Sequence, residues 1–233
     1  DYLNLKPSNL VFLIDTSGSM DDPNKLPLVK ESLKLLINQL SSRDKISIVT
    51  YAGAAGLALP PTSADNKKKI LSVLDNLKAG GSTAGGEGIV LAYSIAKENL
   101  IKDGNNRVVL CTDGDFNVGV SSTSELVRLM EEKRKDGIYL TICGFGMGNY
   151  KDGKMEQISN AGNGNYFYID SMKEAQKVFV REMRANMFTI AKDVKIQIEF
   201  NPLLVKSYRL IGYENRILAK EDFEDDLKDA GEL

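Results

Sequence analysis

The chain has 233 residues, enough for one α/β domain of about 200 residues with a short segment appended to it. Its 30 basic and 32 acidic residues give a formal net charge of −2, which provides no bulk attraction to nucleic acid or to an anionic membrane. The sequence contains no histidine, which excludes Ser-His-Asp and Cys-His catalysis and the commonest zinc sites within this chain.

Predicted strands alternate with predicted helices along most of the chain. Uncharged apolar runs predict buried strands, and apolar residues at helical spacing predict helices. In chain order we predict a strand at 10–14, a helix from the turn at 21–24 to about 39, a strand at 45–51, an edge strand at 56–59 closed by two prolines, a helix capped by Ser63 to about 77, a helix after Gly88 to about 100, a strand at 108–111, a helix capped by Ser122 to about 135, a strand at 139–145, a helix at 154–161, a strand at 165–169 and a helix from Ser171 to about 191. This alternation predicts a doubly wound, mostly parallel sheet with helices on both faces.

The pattern changes after residue 191. Lys192–Phe200 alternates polar and apolar side chains with period two, and Val205–Leu210 is its predicted partner strand. We therefore predict a lead-in at 1–9, the main domain at 10–191, and a β-rich extension with an acidic tail at 192–233. The extension is expected to be cut short or completed from elsewhere in the parent protein. Asp1 is not a natural start, which predicts that the chain is a processed piece whose compartment the sequence hides.

Oxygen-bearing side chains follow three of these elements. Asp15, Ser17 and Ser19 come directly after the first strand, Thr83 lies in the glycine-rich loop at 79–88, and Asp113 follows the strand at 108–111. Ligands in open α/β sheets bind outside the carboxyl ends of the strands. Two carboxylates and three hydroxyls suit Mg²⁺, with Mn²⁺ and Ca²⁺ as alternatives. Two carboxylates only neutralise a divalent ion, so the metal is left able to accept one more carboxylate from outside.

Each of these features has an ordinary explanation when it is taken alone. A Ser-Gly-Ser loop is usually only a turn, and an aspartate after a strand is often a helix cap. Cys111 and Cys143 lie inside apolar runs, which favours two buried thiols over a disulfide or a metal pair. The joint occurrence of five oxygen ligands at strand ends favours the metal site.

The motifs resemble those of the von Willebrand factor type A (VWA) domain. Its metal-ion-dependent adhesion site (MIDAS) matches Asp15-x-Ser17-x-Ser19, then Thr83, then Asp113 within 112–114. The stretches at 51–53, 80–86 and 114–119 are more closely similar to bacterial extracytoplasmic members, and the segment from Asp193 resembles the domain that follows in those proteins. The resemblance implies a Rossmann-like fold with a central first strand, a short antiparallel edge strand at 56–59, and a last helix that shifts when the metal changes coordination.

The resemblance predicts a non-enzymatic, metal-dependent adhesion or interaction module that engages an Asp or Glu of a partner protein. It also predicts an extracytoplasmic location, periplasmic or on the cell surface, with a membrane tether outside this chain. The alternatives are a hydrolase using Ser17, a nucleotide-binding enzyme using Gly80–Gly88, and a structural domain with a degenerate site. The hydrolase lacks a histidine base and the glycine-rich loop lacks the lysine of a P-loop, while the intact ligand set argues against degeneracy.

Overall fold

The computed structural model describes residues 6–82, 85–114, 116, 123–146, 152–182 and 195–211. Up to residue 182, these residues form a six-stranded sheet and its helices. The strands are β1 (Ser8–Asp15), β2 (Lys45–Tyr51), β3 (Ala55–Ser63), β4 (Asn105–Thr112), β5 (Ile138–Phe145) and β6 (Tyr166–Ile169). The helices are α1 (Leu26–Ile37), α2 (Lys67–Asn76), α3 (Gly85–Glu98), α4 (Thr123–Lys135), α5 (Asp152–Ala161) and α6 (Met172–Gln176), which continues as a π-helical segment at Lys177–Glu182.

The sheet has the strand order β3-β2-β1-β4-β5-β6. Only the pairing of β2 with β3 is antiparallel, and the other four pairings are parallel. Phe12 in β1 lies opposite Ile48 in β2 and opposite Val109 in β4, so the first strand is central. The mostly parallel sheet with one antiparallel edge strand confirms the predicted fold. From β1 the chain continues to β2 and β3 on one side of the sheet, and it later adds β4, β5 and β6 on the other side of β1. The carboxyl ends of β1 and β4 therefore form a topological switch point.

Helices cover both faces of the sheet because alternate residues of β1 point to opposite sides. Phe12 and Ile14 belong to an apolar cluster that includes Leu33 of α1. Leu13 belongs to a second cluster, which includes Ile89 of α3. All eight residues of β1 are buried, as the predicted strand buried on both faces requires.

Two predicted boundaries around the edge strand are wrong. β3 runs from Ala55 to Ser63 and passes through Pro60-Pro61, where the sequence predicted an end at Leu59. Both prolines are exposed on an edge strand, where a missing N–H donor need not break the ladder. α2 begins at Lys67 with Asn66 as its N-cap, because the predicted cap Ser63 belongs to β3 and donates its hydroxyl to the Ser42 carbonyl at 3.0 Å.

The described part of the last helix agrees with the predicted start. The Ser171 Oγ accepts a hydrogen bond from the Glu174 backbone N–H at 3.4 Å, so the predicted cap is formed. Residues 183–191, which complete the predicted helix, lie outside the described residues, as does the predicted cap Ser122. No helix within the described residues is long and apolar enough to span a membrane.

The chain divides into two compact units, Asp1–Phe188 and Thr189–Leu233. In the second unit only residues 195–211 are described, and none of them forms a strand, so the strands predicted at Lys192–Phe200 and Val205–Leu210 are not formed there. Ile196 and Ile198 are exposed. An isolated pair of strands is marginal in water without a further surface to cover its apolar face, which accounts for this difference. The boundary between residues 191 and 192 stays a prediction.

Candidate metal centre

The loop after β1 turns back on itself and brings its oxygen atoms together. Asp15 is the last residue of β1, and its Oδ1 accepts a hydrogen bond from the Ser17 backbone N–H at 2.8 Å. The chain then forms a 3₁₀ turn at Gly18–Met20. The Oγ atoms of Ser17 and Ser19 lie 3.1 Å apart. Asp15 and Ser17 are buried, whereas Ser19 is exposed, so the group extends from the interior to the surface.

The Asp15 carboxylate is buried and only partly satisfied. Its Oδ2 atom is inaccessible to solvent and makes no hydrogen bond of standard geometry, and neither does the Tyr51 hydroxyl nearby. Burial raises the pKa of Asp15 above its ordinary value, Ser17 and the Tyr51 hydroxyl oppose this rise by hydrogen bonding, and the nearby Asp113 carboxylate adds to it. A buried carboxylate oxygen without a donor is costly, and a bound cation would remove that cost.

Asp113 supplies the second carboxylate from the neighbouring strand end. It follows β4 directly and is 3% exposed. Its Oδ2 atom accepts a hydrogen bond from Lys25 Nζ at 2.9 Å in an ion pair. The same ammonium donates to the Ser19 carbonyl at 2.9 Å, so Lys25 joins the β1 loop to the end of β4.

Backbone hydrogen bonds attach the glycine-rich loop to the same place. The Gly18 N–H donates to the Gly81 carbonyl at 3.0 Å, and the Gly80 N–H donates to the Thr16 carbonyl at 2.8 Å. Gly81 has φ +83°, a conformation that favours glycine. The predicted ligand Thr83 lies outside the described residues, two positions after Gly81, and its place in the site stays a prediction.

A tyrosine that the sequence analysis did not select lies beneath the centre. Tyr51 ends β2, is fully buried, and packs edge-to-face on Phe116 with ring centroids 5.6 Å apart. Burial holds the pKa of Tyr51 well above its ordinary value, and the charge of Asp15 adds to this effect. The apolar pattern of β2 predicts that Tyr51 is buried, but nothing in the sequence indicates that it lies beside Asp15.

The described residues bring four of the five predicted ligands together: Asp15, Ser17, Ser19 and Asp113. Sequence reasoning missed Lys25, because a lysine just before a helix is ordinarily solvated and its partner Asp113 lies 88 positions away. Within the described parts of the chain, no group of three or more Cys, Asp or Glu side chains is arranged to hold a metal. Two carboxylates with several hydroxyl groups suit Mg²⁺, whereas Ca²⁺ sites usually contain more carboxylates. The Asp15 Oδ2 atom, which lacks a hydrogen bond of standard geometry, is suited to bind such an ion.

These features define an α/β domain with oxygen-bearing side chains at its switch point. A family model described as the von Willebrand factor type A domain matches residues 9–181, and the chain belongs to this family. A second family model, described as "Uncharacterized protein YfbK, C-terminal", matches residues 185–233.

Among curated proteins, the chain is similar to "Uncharacterized protein YfbK" of Escherichia coli (strain K12), with 51% identity over 229 residues. The alignment covers 98% of this chain and 40% of that protein, so the chain spans well under half of this relative's length. The activity of a longer protein is therefore not established by this likeness.

Three solved structures share the fold. A von Willebrand factor type A protein from Catenulispora acidiphila has a TM-score of 0.65 and 23% identity, covering 81% of this chain and 44% of its own. An aerotolerance-related membrane protein from Bacteroides fragilis has a TM-score of 0.58 and 22% identity, covering 76% and 98%. Proximal thread matrix protein 1 from the mussel byssus, with zinc in its MIDAS motif, has a TM-score of 0.59 and 21% identity, covering 78% and 46%.

Proposed function

We propose that this domain is a metal-dependent protein-binding module whose divalent cation engages an Asp or Glu side chain of a partner protein. The observation that carries the proposal is the buried Asp15 Oδ2 without a hydrogen bond of standard geometry, placed beside two serine hydroxyls and a second carboxylate. Asp15 and Asp113 would hold the cation together with Ser17, Ser19 and the predicted ligand Thr83. When bound, the cation would supply a Lewis-acidic position for an external carboxylate.

The charge of the ligand set favours an acidic partner. Hydroxyl oxygens add no negative charge, so Asp15 and Asp113 only balance the two charges of the ion. A lone carboxylate from outside supplies a charge-matched oxygen without removing the other ligands. Mg²⁺ is the proposed ion and Mn²⁺ or Ca²⁺ the alternatives, while the zinc-occupied MIDAS of the mussel byssus protein supports a divalent ion at this position of the fold.

A non-enzymatic role is part of the same proposal. The described contacts tie the Ser17 hydroxyl to Ser19 and place it beside Asp15, and the sequence provides no histidine to activate it. Among the residues that the structure describes, Lys25 is the lysine that contacts this loop, and it donates to a carbonyl and a carboxylate and not to a serine hydroxyl. These contacts favour binding over nucleophilic catalysis.

We propose an extracytoplasmic location for the domain, periplasmic or on the cell surface. The motif resemblance to bacterial extracytoplasmic members supports this location. The shared fold of the Bacteroides fragilis membrane protein is in keeping with it, although a fold alone does not decide a compartment.

Isothermal titration calorimetry with Mg²⁺ tests the metal site. We expect saturable binding to the unaltered protein and at least a tenfold loss in Asp15→Ala, since a group that binds the ion directly is removed. Asp65→Ala is the matched control, because Asp65 is exposed in the turn before α2, and it should bind Mg²⁺ normally. Equal heats from the unaltered protein and Asp15→Ala would overturn the proposed metal site.

A pull-down with and without chelator tests the partner class. The partner sought is one that the unaltered protein retains in Mg²⁺ and releases in chelator, and that Asp15→Ala does not retain. Changing one of the partner's exposed Asp or Glu residues to Asn or Gln should then abolish binding. Retention that persists in chelator, or survives every such change, would contradict binding through a carboxylate.

A further inference from the structure

A lysine ammonium occupies the rim of the candidate metal centre. Lys25 Nζ donates to Asp113 Oδ2 and to the Ser19 carbonyl, both at 2.9 Å. Its side chain is 25% exposed while that of Asp113 is 2% exposed, so the ion pair bridges solvent and interior. The ammonium therefore neutralises one of the two carboxylates that the divalent ion would use.

The surrounding chain holds the backbone of Lys25 and leaves room for its side chain. Lys25 is the N-cap residue of α1, so its backbone is tied to the first turn of that helix. Its aliphatic stem crosses Gly146, just after β5, where an added Cβ would lie 3.2 Å from Lys25 Cε and 3.3 Å from Cγ. Gly146 has φ +110°, which also favours glycine. Because Gly146 has no Cβ, the Lys25 side chain has room to pass it and reach Asp113.

Two positive charges cannot share this carboxylate without cost. An ammonium within a few ångströms of a divalent ion repels it even at the effective dielectric of a protein surface, about 20. The Lys25 side chain is long and partly exposed, so it is able to swing into solvent. Binding of the ion at Asp113 is then coupled to release of the ammonium.

We propose that Lys25 is a tethered cation that competes with the divalent metal for Asp113 and so holds the site in a charge-balanced state when no metal is bound. This inference rests on the proposed metal-binding function and adds its regulation. The lysine weakens metal binding and keeps Asp113 paired in the metal-free protein. Metal then occupies the site only where its concentration is high enough to displace the ammonium.

Calorimetry with Mg²⁺ on four proteins tests this competition. Compared with the unaltered protein, Lys25→Gln should bind Mg²⁺ about tenfold more tightly, because both the repulsion and the competing ion pair are removed. Lys25→Arg keeps the charge and should bind Mg²⁺ no more tightly than the unaltered protein, because the guanidinium also pairs with a carboxylate. Lys34→Gln removes an equal charge near the other end of α1, where Lys34 pairs with Glu31 and Asp75, and should leave the affinity unchanged.

Thermal unfolding provides a second readout. In chelator, Lys25→Gln should unfold at a lower temperature than the unaltered protein, since the ion pair between Lys25 and the buried Asp113 is lost. Added Mg²⁺ should raise its unfolding temperature by more than that of the unaltered protein, because a ligand that binds more tightly stabilises the native state more.

The outcomes separate this inference from the proposed function. Equal Mg²⁺ affinities in the unaltered protein and a folded Lys25→Gln would overturn the competition and leave the metal site standing. Weaker binding by Lys25→Gln would overturn it as well. No binding by any of the four proteins would overturn the metal site itself, and binding by Lys25→Gln alone would support the competition in its strongest form.

Discussion

The backbone N–H of Gly18 donates to the carbonyl of Gly81 at 3.0 Å, and this hydrogen bond joins the β1 loop to the glycine-rich loop together with that from the Gly80 N–H to the Thr16 carbonyl. A Cβ at Gly18 would lie 3.4 Å from that carbonyl oxygen, so the two loops are in van der Waals contact at this point. The geometry of the candidate metal centre therefore depends on backbone as well as on side chains.

Gly81→Ala should destabilise the fold and weaken the site. Alanine at φ +83° is strained by about 1 kcal/mol or more, and relief of that strain moves the carbonyl away from Gly18. Urea unfolding and Mg²⁺ calorimetry measure the two effects. Gly80→Ala is the matched control, because its added Cβ meets no atom within 4 Å and its N–H is retained. Equal stability of the two variants would contradict this prediction.

Asp44→Ala should lower the free energy of unfolding by about 2–4 kcal/mol, since several donors lose a buried acceptor at once. Its Oδ1 accepts from the Ser8 backbone N–H at 2.8 Å, and its Oδ2 accepts from the Ser41 N–H and Oγ at 2.8 and 2.9 Å. Chemical denaturation measures the change. Asp65→Ala, on the exposed turn before α2, should stay within about 0.5 kcal/mol of the unaltered protein. A similar small change in Asp44→Ala would show that these hydrogen bonds contribute little.

The thiols of Cys111 and Cys143 should resist alkylation in the native protein at pH 8. Both are free and fully buried, and burial raises the pKa of each above its ordinary value of 9.0, so the reactive thiolate is scarce. The contribution of the protonated thiols to the free energy of unfolding is fully present below pH 9, and it is lost as the pH rises toward and through the higher native pKa. Mass spectrometry after alkylation should find both residues unmodified without urea and modified in it. Rapid native labelling of either thiol would contradict their burial.

Hydrogen exchange should slow in the last helix when metal and an acidic ligand are both present. Phe179 is buried in this segment, and its carbonyl accepts a hydrogen bond from Gln39 Nε2 at 3.3 Å, just after α1. The family resemblance predicts that this helix responds to the site, and contact with the end of α1 provides a route. Exchange of amides at 172–182 measures the response, with α4 as the internal reference. Unchanged exchange at 172–182 would mean that the helix is not coupled to the site.

The sequence predicted the features that depend on local pattern. Leu10–Ile14 has no charge and forms a buried strand. Asp15 and Asp113 lie at strand ends that the parallel topology must bring to one edge. The sheet and the proximity of these carboxylates follow from those two facts.

The features that the sequence did not predict depend on distant partners. Ser63 is an acceptable helix cap by type, yet its hydroxyl is bonded to the Ser42 carbonyl 21 positions earlier. Lys25 resembles any solvated lysine until Asp113 is placed beside it. Ile196 and Ile198 alternate as in a strand, but alternation specifies a strand only when another surface covers its apolar side.

The sheet order has a consequence for when the site comes into existence. The strands β1, β2 and β3 form one half of the sheet and supply Asp15, while β4, β5 and β6 form the other half and supply the strand that ends before Asp113. Neither half contains both carboxylates, so the two charges meet only after β1 and β4 have paired across 97 positions of sequence between Ser8 and Asn105. A nascent chain that ends before β4 is complete lacks Asp113 and therefore lacks the candidate site. A ligand that needs both aspartates is therefore a probe of the pairing of β1 with β4, and it does not detect any intermediate in which these two strands are still apart.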